Sequence, residues 1–309
     1  VGEEVQRTHS DVDEQQRFMR SLLNDLGALE VMLAEGLIES ELTRIGAEQE
    51  VFLVDRSWRP ALLSAEVLSQ LHDERFTTEL GRFNLELNLS PVPFTASCFR
   101  DMNVELVELI ETAERAAREH GAEILLCGIL PTLLKSDLSL EAMTPSNRYY
   151  RLNEAMRQLR GADFEFRIKG RDELIVRHDN VMFEACNASF QVHLQVPAEG
   201  FVEQYNVAQL LAAPVLAAAV NSPLLLGRRL WAETRIALFQ QSVDTRRPGL
   251  MEHRRQPSRV SFGSRWLQGS AVEIFKEDIA RFRPVLGTKI EGSSLAVLQS
   301  GGIPTLRAL

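Results

Sequence analysis

The sequence predicts an α+β fold: a curved, mostly antiparallel sheet with helices on its apolar face and a cleft on its polar face. Three observations predict it. Residues 83–89 alternate strictly, with Phe83, Leu85, Leu87 and Leu89 on one side and Asn84, Glu86 and Asn88 on the other. Residues 187–196 alternate again, Ala188, Phe190, Val192, Leu194 and Val196 opposing Asn187, Ser189, Gln191, His193 and Gln195. A period of two marks a strand with one covered face. Elsewhere the apolar spacing becomes helical, as in Phe18, Leu22, Leu26, Leu29 and Leu33.

In chain order, the first helix covers 14–36, with Gly36 as its stop. A strand follows over 44–55. Side chains at i and i+2 share a face about 6.6–6.8 Å apart, so Glu48 and Glu50 project together. After the 83–89 strand, Met102, Leu106, Leu109, Ile110, Ala113 and Ala117 define a helix over 97–120, ending at Gly121. A third helix covers 146–160, and 161–179 forms a hairpin turning near Gly170. Residues 201–220 are apolar nearly all round, which predicts a buried helix. The Arg- and Pro-rich stretch 244–265 reads as an ordered loop, and 271–283 as a short amphipathic helix. No repeat or Gly/Ser linker divides the chain, so one domain over 1–309 is expected.

Composition narrows the function classes. The 309 residues carry 43 Asp and Glu against 34 Lys and Arg, a net charge of −9, which argues against a nucleic-acid partner. The longest apolar run, Leu210–Val220, falls well short of the roughly 20 residues a spanning helix needs, and the first residues lack the apolar core of a signal peptide. Cys98, Cys127 and Cys186 are scattered without a CxxC pair, which suits a reducing cytoplasm. No Walker A, GxGxxG, GxSxG or HExxH motif is present.

The candidate chemistry lies on the polar strand faces. They carry Asn, Gln, Ser, Glu and His but neither Lys nor Arg, which suits the wall of a polar site. Glu48 and Glu50 repel each other on one face, and a divalent cation would relieve that repulsion. Carboxylates so spaced can hold two ions roughly 3.5–4 Å apart; an isolated pair is more often simply solvated. Glu86 sits between Asn84 and Asn88, an odd place for a lone surface charge, and Glu79 lies just before the Gly81 break. His193 is the one histidine on a patterned polar strand face, where a neutral imidazole beside carboxylates is a credible metal ligand. Glu233 and Arg235 put a carboxylate near a guanidinium suited to phosphate.

These residues fall in six blocks that together resemble the glutamate–cysteine ligase type 2 family, the carboxylate–amine ligases, whose fold is similar to the glutamine synthetase catalytic domain. The blocks are IGAEQEVFLVD (45–55), ELGRFNLELNLSP (79–91), CGILPTL (127–133), NRYYRL (147–152), NASFQVHLQV (187–196) and AVNSPLLLGRRLWAETR (219–235), in family order across about 190 residues. The resemblance implies a single cytoplasmic ligase domain with a metal/ATP cleft, acting in glutathione-type biosynthesis. It implies ATP as co-substrate and Mg²⁺ or Mn²⁺ as cofactor. The partners would be a small amino acid, an amine and ATP, without nucleic acid or membrane, and a homo-oligomer is compatible with it. Glu50, Glu79 and Glu86 match the ligands of the ion nearer the substrate, and Glu48, His193 and Glu233 those of the ion on the nucleotide phosphates. Arg235 matches the arginine that neutralises the transferring phosphoryl group. Asn88, Arg148, Gln191, Asn221 and Ser222 match substrate-side positions. The resemblance also implies a further strand after residue 309, so the chain is expected to stop before its fold does, and makes 1–40 an N-terminal helical extension. Two other classes stay open on the residues: a ligase-like binding protein without turnover, and a two-metal phosphohydrolase.

Overall fold

The computed structural model describes residues 12–246, 257–287 and 292–309. The middle of the expected 244–265 loop lies outside them. Contacts gather the chain into two compact units, one of Arg44–Gln195 and Ala213–Ser261, the other of the residues up to Thr43, Val196–Ala212 and Phe262–Leu309.

The first unit is built on β1 (Arg44–Val54). On one side β1 pairs antiparallel with β3 (Asn84–Asn88) and β4 (Val92–Pro93), and β2 (Phe76–Thr78) lies beyond β3. On its other side it pairs, again antiparallel, with β5 (Glu123–Leu125) and β8 (Phe190–Leu194). The odd-numbered apolar residues of β1 and β3 share one face. There Ile45, Val51, Leu53, Leu85 and Leu87 pack with Val67 of α2 (Ser64–Leu71) and with Met102, Leu109 and Ala113 of α3 (Cys98–Glu119). Leu85 and Leu87 are fully buried, each removing apolar surface worth about 1.5–3 kcal/mol from water. This layer fixes the register, because a one-residue slip would turn the carboxylates into the core.

α4 (Asn147–Arg160) ends at Gly161, whose φ of 66° is the left-handed cap glycine adopts without strain. The hairpin β6 (Phe164–Lys169) and β7 (Glu173–His178) follows, then a tight 3₁₀ turn, Val181–Cys186. The short ribbon β9 (Leu224–Leu225) and β10 (Arg228–Arg229) leads to α6 (Arg235–Ser242). In the second unit, α1 (Val12–Ala34) packs Leu26 and Leu29 against Val272 and Phe275 of the helix Val272–Arg281, with Leu306 and Leu309. Buried Asp25 accepts hydrogen bonds from the Ser294 hydroxyl (2.5 Å) and the Ala308 amide (2.8 Å).

Two expectations need correction. α5 (Phe201–Ala218) forms where its pattern predicts, but none of its residues is buried, and Leu210 is 67% exposed. All-round apolar composition reports what a helix could bury, whereas burial requires a neighbour, and among the described residues none covers Leu210, Leu211 or Val215. Likewise the apolar face of β8 is uncovered: Phe190, Val192 and Leu194 are exposed. β8 is the outer strand beside β1, and the α2–α3 layer covers β1 and β3 instead.

Candidate functional site

The register of β1 on β3 sets the site. Glu50 lies opposite Glu86, and Glu48 opposite Asn88. Glu79, in the link between β2 and β3, joins them, and ligand oxygens of Glu50, Glu79 and Glu86 all fall within 4.8 Å of one another. Among the described residues this is the one cluster of three potential ligands. Each acid is held in place. The Ser189 amide donates to Glu50 Oε2 (2.6 Å). The Thr77 hydroxyl and the Asn88 amide donate to Glu86 Oε1 (2.9 and 2.8 Å). The Leu80 amide donates to Glu79 Oε2 (3.2 Å), and the Thr144 hydroxyl to the Glu79 carbonyl (2.5 Å).

The electrostatics follow from this crowding. Burial pushes the Glu50 carboxyl up to about 7, assisted by the Glu86 and Glu48 charges and opposed by the Ser189 hydrogen bonds. Burial also drives Glu79 far above the usual carboxylate range, and its proton is shared toward Glu86. Glu86 is buried too, but hydrogen bonds from Glu79, Asn88 and Thr77 prevail and hold it below that range. Three acids that cannot all ionise without a counter-charge are a donor set that fits a hard divalent cation.

Glu48 points the same way from β1, and its Oε1 lies 3.3 Å from His193 Nε2 on β8. Gln191, also on β8, pairs in register with Glu48 and is exposed. Glu233 is not gathered with Glu48 and His193 into a shared ligand set. Instead it accepts from Arg235 Nε and Nη2 (2.6 and 2.9 Å), from the Ser222 hydroxyl and from the Asn221 amide (3.3 Å). Burial works against its charge, but Arg235 and Ser222 outweigh it and keep the carboxyl below its ordinary range. Arg235 also donates to the Ala188 carbonyl (2.6 Å), and its charge is supported by Glu233 first and then by Glu50. Gly128 makes room for this pair: a Cβ there would stand 2.8 Å from Arg235 Nε and 3.0 Å from the Asn221 carbonyl oxygen. Arg148 lies in the first turn of α4, exposed, its guanidinium 5.7 Å from the centre of the Tyr149 ring.

Sequence reasoning missed four contributors. Thr77 lies on a three-residue strand too short to show a period. Ser189 acts on Glu50 through its backbone, Tyr149 lies near the charge of Glu79, and Glu184 sits on a 3₁₀ turn. The carboxyl of Glu184 is pushed up to about 7 by burial and by the Glu50 charge.

Fold and site together define a mixed helix and antiparallel-sheet protein with a carboxylate-lined polar face. The family model for glutamate-cysteine ligase family 2 (GCS2) matches residues 44–262, and the chain belongs to that family. The match begins where the first compact unit begins. Membership implies an ATP-dependent ligase acting on small molecules, of a type that generally needs Mg²⁺. No curated protein matches the chain. Among the described residues, no helix is long and apolar enough to cross a membrane.

Proposed function

We propose that the protein is a carboxylate–amine ligase with a glutamine-synthetase-like fold, joining glutamate to cysteine or a related amine through an acyl phosphate. The observation that carries this reading is the convergence of Glu50, Glu79 and Glu86, three crowded acids on the polar face of a family ligase sheet. A bound Mg²⁺ supplies charge neutralisation at the phosphoryl and carboxylate oxygens. Glu50, Glu79 and Glu86 would hold one such ion, and Glu48 and His193 are the residues for a second on the nucleotide side.

The remaining work belongs to the protein's own groups. Phosphoryl transfer depends on positioning and charge neutralisation more than on covalent chemistry. Arg235, fixed by Glu233 and Ala188, presents a guanidinium beside the acids, suited to the charge that builds on the transferring group. Glu233 serves in this reading as the clamp that orients Arg235. Asn88, Gln191, Asn221 and Ser222, with Arg148 at the start of α4, are assigned to the substrate side. ADP release with Mg·ATP, glutamate and a panel of amines tests the proposal. Amine-dependent release in wild type and its loss in Glu50→Gln are expected. Release no greater than the variant's overturns the reading, and phosphate release without any amine identifies a phosphohydrolase instead.

A further inference from the structure

Thr77 on β2 stands directly opposite Glu86 on β3, and Glu86 in turn stands opposite Glu50 on β1. Glu86 is therefore the middle of a row across the sheet, with the acid cluster on one side and a threonine on the other. Phe76 sets this arrangement. Its ring is buried in the apolar layer, and the alternation of a strand sends the next side chain, Thr77, to the polar face.

The Thr77 hydroxyl has a defined direction. Asn88 Nδ2 donates to Thr77 Oγ1 (3.3 Å), and Thr77 Oγ1 donates to Glu86 Oε1 (2.9 Å). Asn88 Nδ2 reaches the same Oε1 (2.8 Å), while the Asn88 backbone amide donates to the Arg75 carbonyl (2.7 Å) and holds β3 against the start of β2. A carboxylate oxygen has two lone pairs. Both of those on Glu86 Oε1 are taken by protein donors, which leaves Oε2 to face a cation. Glu50 and Glu79 also accept backbone amides at one oxygen, from Ser189 and Leu80. At Glu86 both donors are side chains, and both meet at one atom.

This bears on which ion the acids suit. Mg²⁺ demands near-octahedral geometry and keeps several waters, whereas Ca²⁺ takes about six to eight oxygens and accepts carboxylates through both of theirs. A carboxylate with one oxygen already occupied can offer only the other. Partners of this kind, one step behind the ligand, orient it and tune its affinity.

We propose that Thr77 is a positioning residue that sets the cation selectivity of the site. By holding Glu86 Oε1 it keeps Glu86 a one-oxygen ligand, and so favours a small octahedral ion over Ca²⁺. The inference rests on the proposed ligase reading for the ion itself, but its test reads metal binding and needs no turnover.

The test is a competition assay on metal-free protein, in which Mn²⁺ binding is followed by its paramagnetic resonance signal and Mg²⁺ or Ca²⁺ displaces it. Thr77→Val removes the hydroxyl but keeps a β-branched strand former of nearly the same shape, and Thr77→Ser keeps the hydroxyl. In Thr77→Val the ratio of Mg²⁺ to Ca²⁺ affinity is expected to fall at least about tenfold, the lower end for losing a partner behind a metal ligand. Thr77→Ser should stay close to the wild-type ratio. Thr77→Ala, with circular dichroism on every variant, repeats the measurement should the valine disturb β2. Folded variants with the wild-type ratio overturn the inference. So does an equal loss of both ions, which is what a merely structural threonine would give. Wild type that binds no Mn²⁺ overturns it together with the metal reading of the three acids. Shifted selectivity without amine-dependent ADP release would sink the ligase reading and leave the role of Thr77 standing.

Discussion

Glu50 and Glu86 face each other across the β1–β3 ladder, two acids in direct register whose carboxylates converge with that of Glu79. Like charges directly opposite one another weaken a sheet, by roughly 0.2–1 kcal/mol for an ordinary pair. Glu50→Gln keeps an oxygen to accept from the Ser189 amide while removing one charge. In EDTA this variant is expected to melt about 2–4 °C above wild type. It should also lose most of the Mg²⁺-induced rise expected of wild type. Scanning calorimetry with and without Mg²⁺ checks both. A lower melting temperature in EDTA with an intact Mg²⁺ response would show that Glu50 is structural.

The same crowding makes stability depend on pH. Glu50 has a folded value of about 7 against an ordinary 4.5, so the native state holds its proton more tightly than the unfolded chain. Its contribution is therefore fully present below pH 4.5 and is lost as pH rises through 7. Metal-free protein is expected to lose roughly 2–3 kcal/mol from Glu50 over that interval. Glu184, raised to about 7, acts in the same direction. Saturating Mg²⁺, proposed to bind the ionised form, should flatten the decline. Urea unfolding at pH 4.5, 6 and 8 with EDTA or Mg²⁺ measures it, and a metal-free stability that climbs over this range would contradict the assignment.

The two sides of β1 differ in what a truncation costs. Leu85 is fully buried in the layer under α3, and Leu85→Ala should destabilise by about 2–5 kcal/mol. Val192 on β8 is 58% exposed, and Val192→Ala should cost less than about 1 kcal/mol. Denaturant unfolding of both separates them. A large loss at Val192 would mean that the apolar face of β8 is covered by something this chain's described residues do not supply.

That contrast shows what was legible in the residues and why. Phe83–Leu89 announced itself because one face is covered, so burial imposes the alternation. β8 carries the same alternation, yet pattern alone could not tell that its apolar face stays exposed. α5 shows the same limit, since Leu210 and Val215 state hydrophobicity without naming a neighbour. The acids were legible as odd charges on patterned strands. Their grouping was not, because the opposition of Glu50 and Glu86 depends on a register between segments more than thirty residues apart in sequence. Family resemblance suggested Glu233 for a metal with Glu48 and His193; its ion pair with Arg235, two residues on, was not legible in the sequence. Glu184 escaped notice because a 3₁₀ turn imposes no recognisable period.

Arg235 depends on a residue that carries no side chain. A methyl group at position 128 would stand 2.8 Å from Arg235 Nε, 3.0 Å from its Cζ and 3.0 Å from the Asn221 carbonyl oxygen. Backbone bounds one side of this contact, since the Gly128 amide donates to that same carbonyl (3.1 Å), so the guanidinium is the part that must move. Displacement would break the paired hydrogen bonds to Glu233 and the one to the Ala188 carbonyl while leaving the core untouched. Misplacing a positioned charge by about 1 Å can cost on the order of 100-fold in rate. Gly128→Ala is therefore expected to fold, to bind Mg·ATP within a few-fold of wild type, and to lose at least tenfold in kcat. Steady-state kinetics beside circular dichroism and nucleotide titration checks this. An unchanged kcat in a folded Gly128→Ala would show that the placement of Arg235 does not limit the reaction.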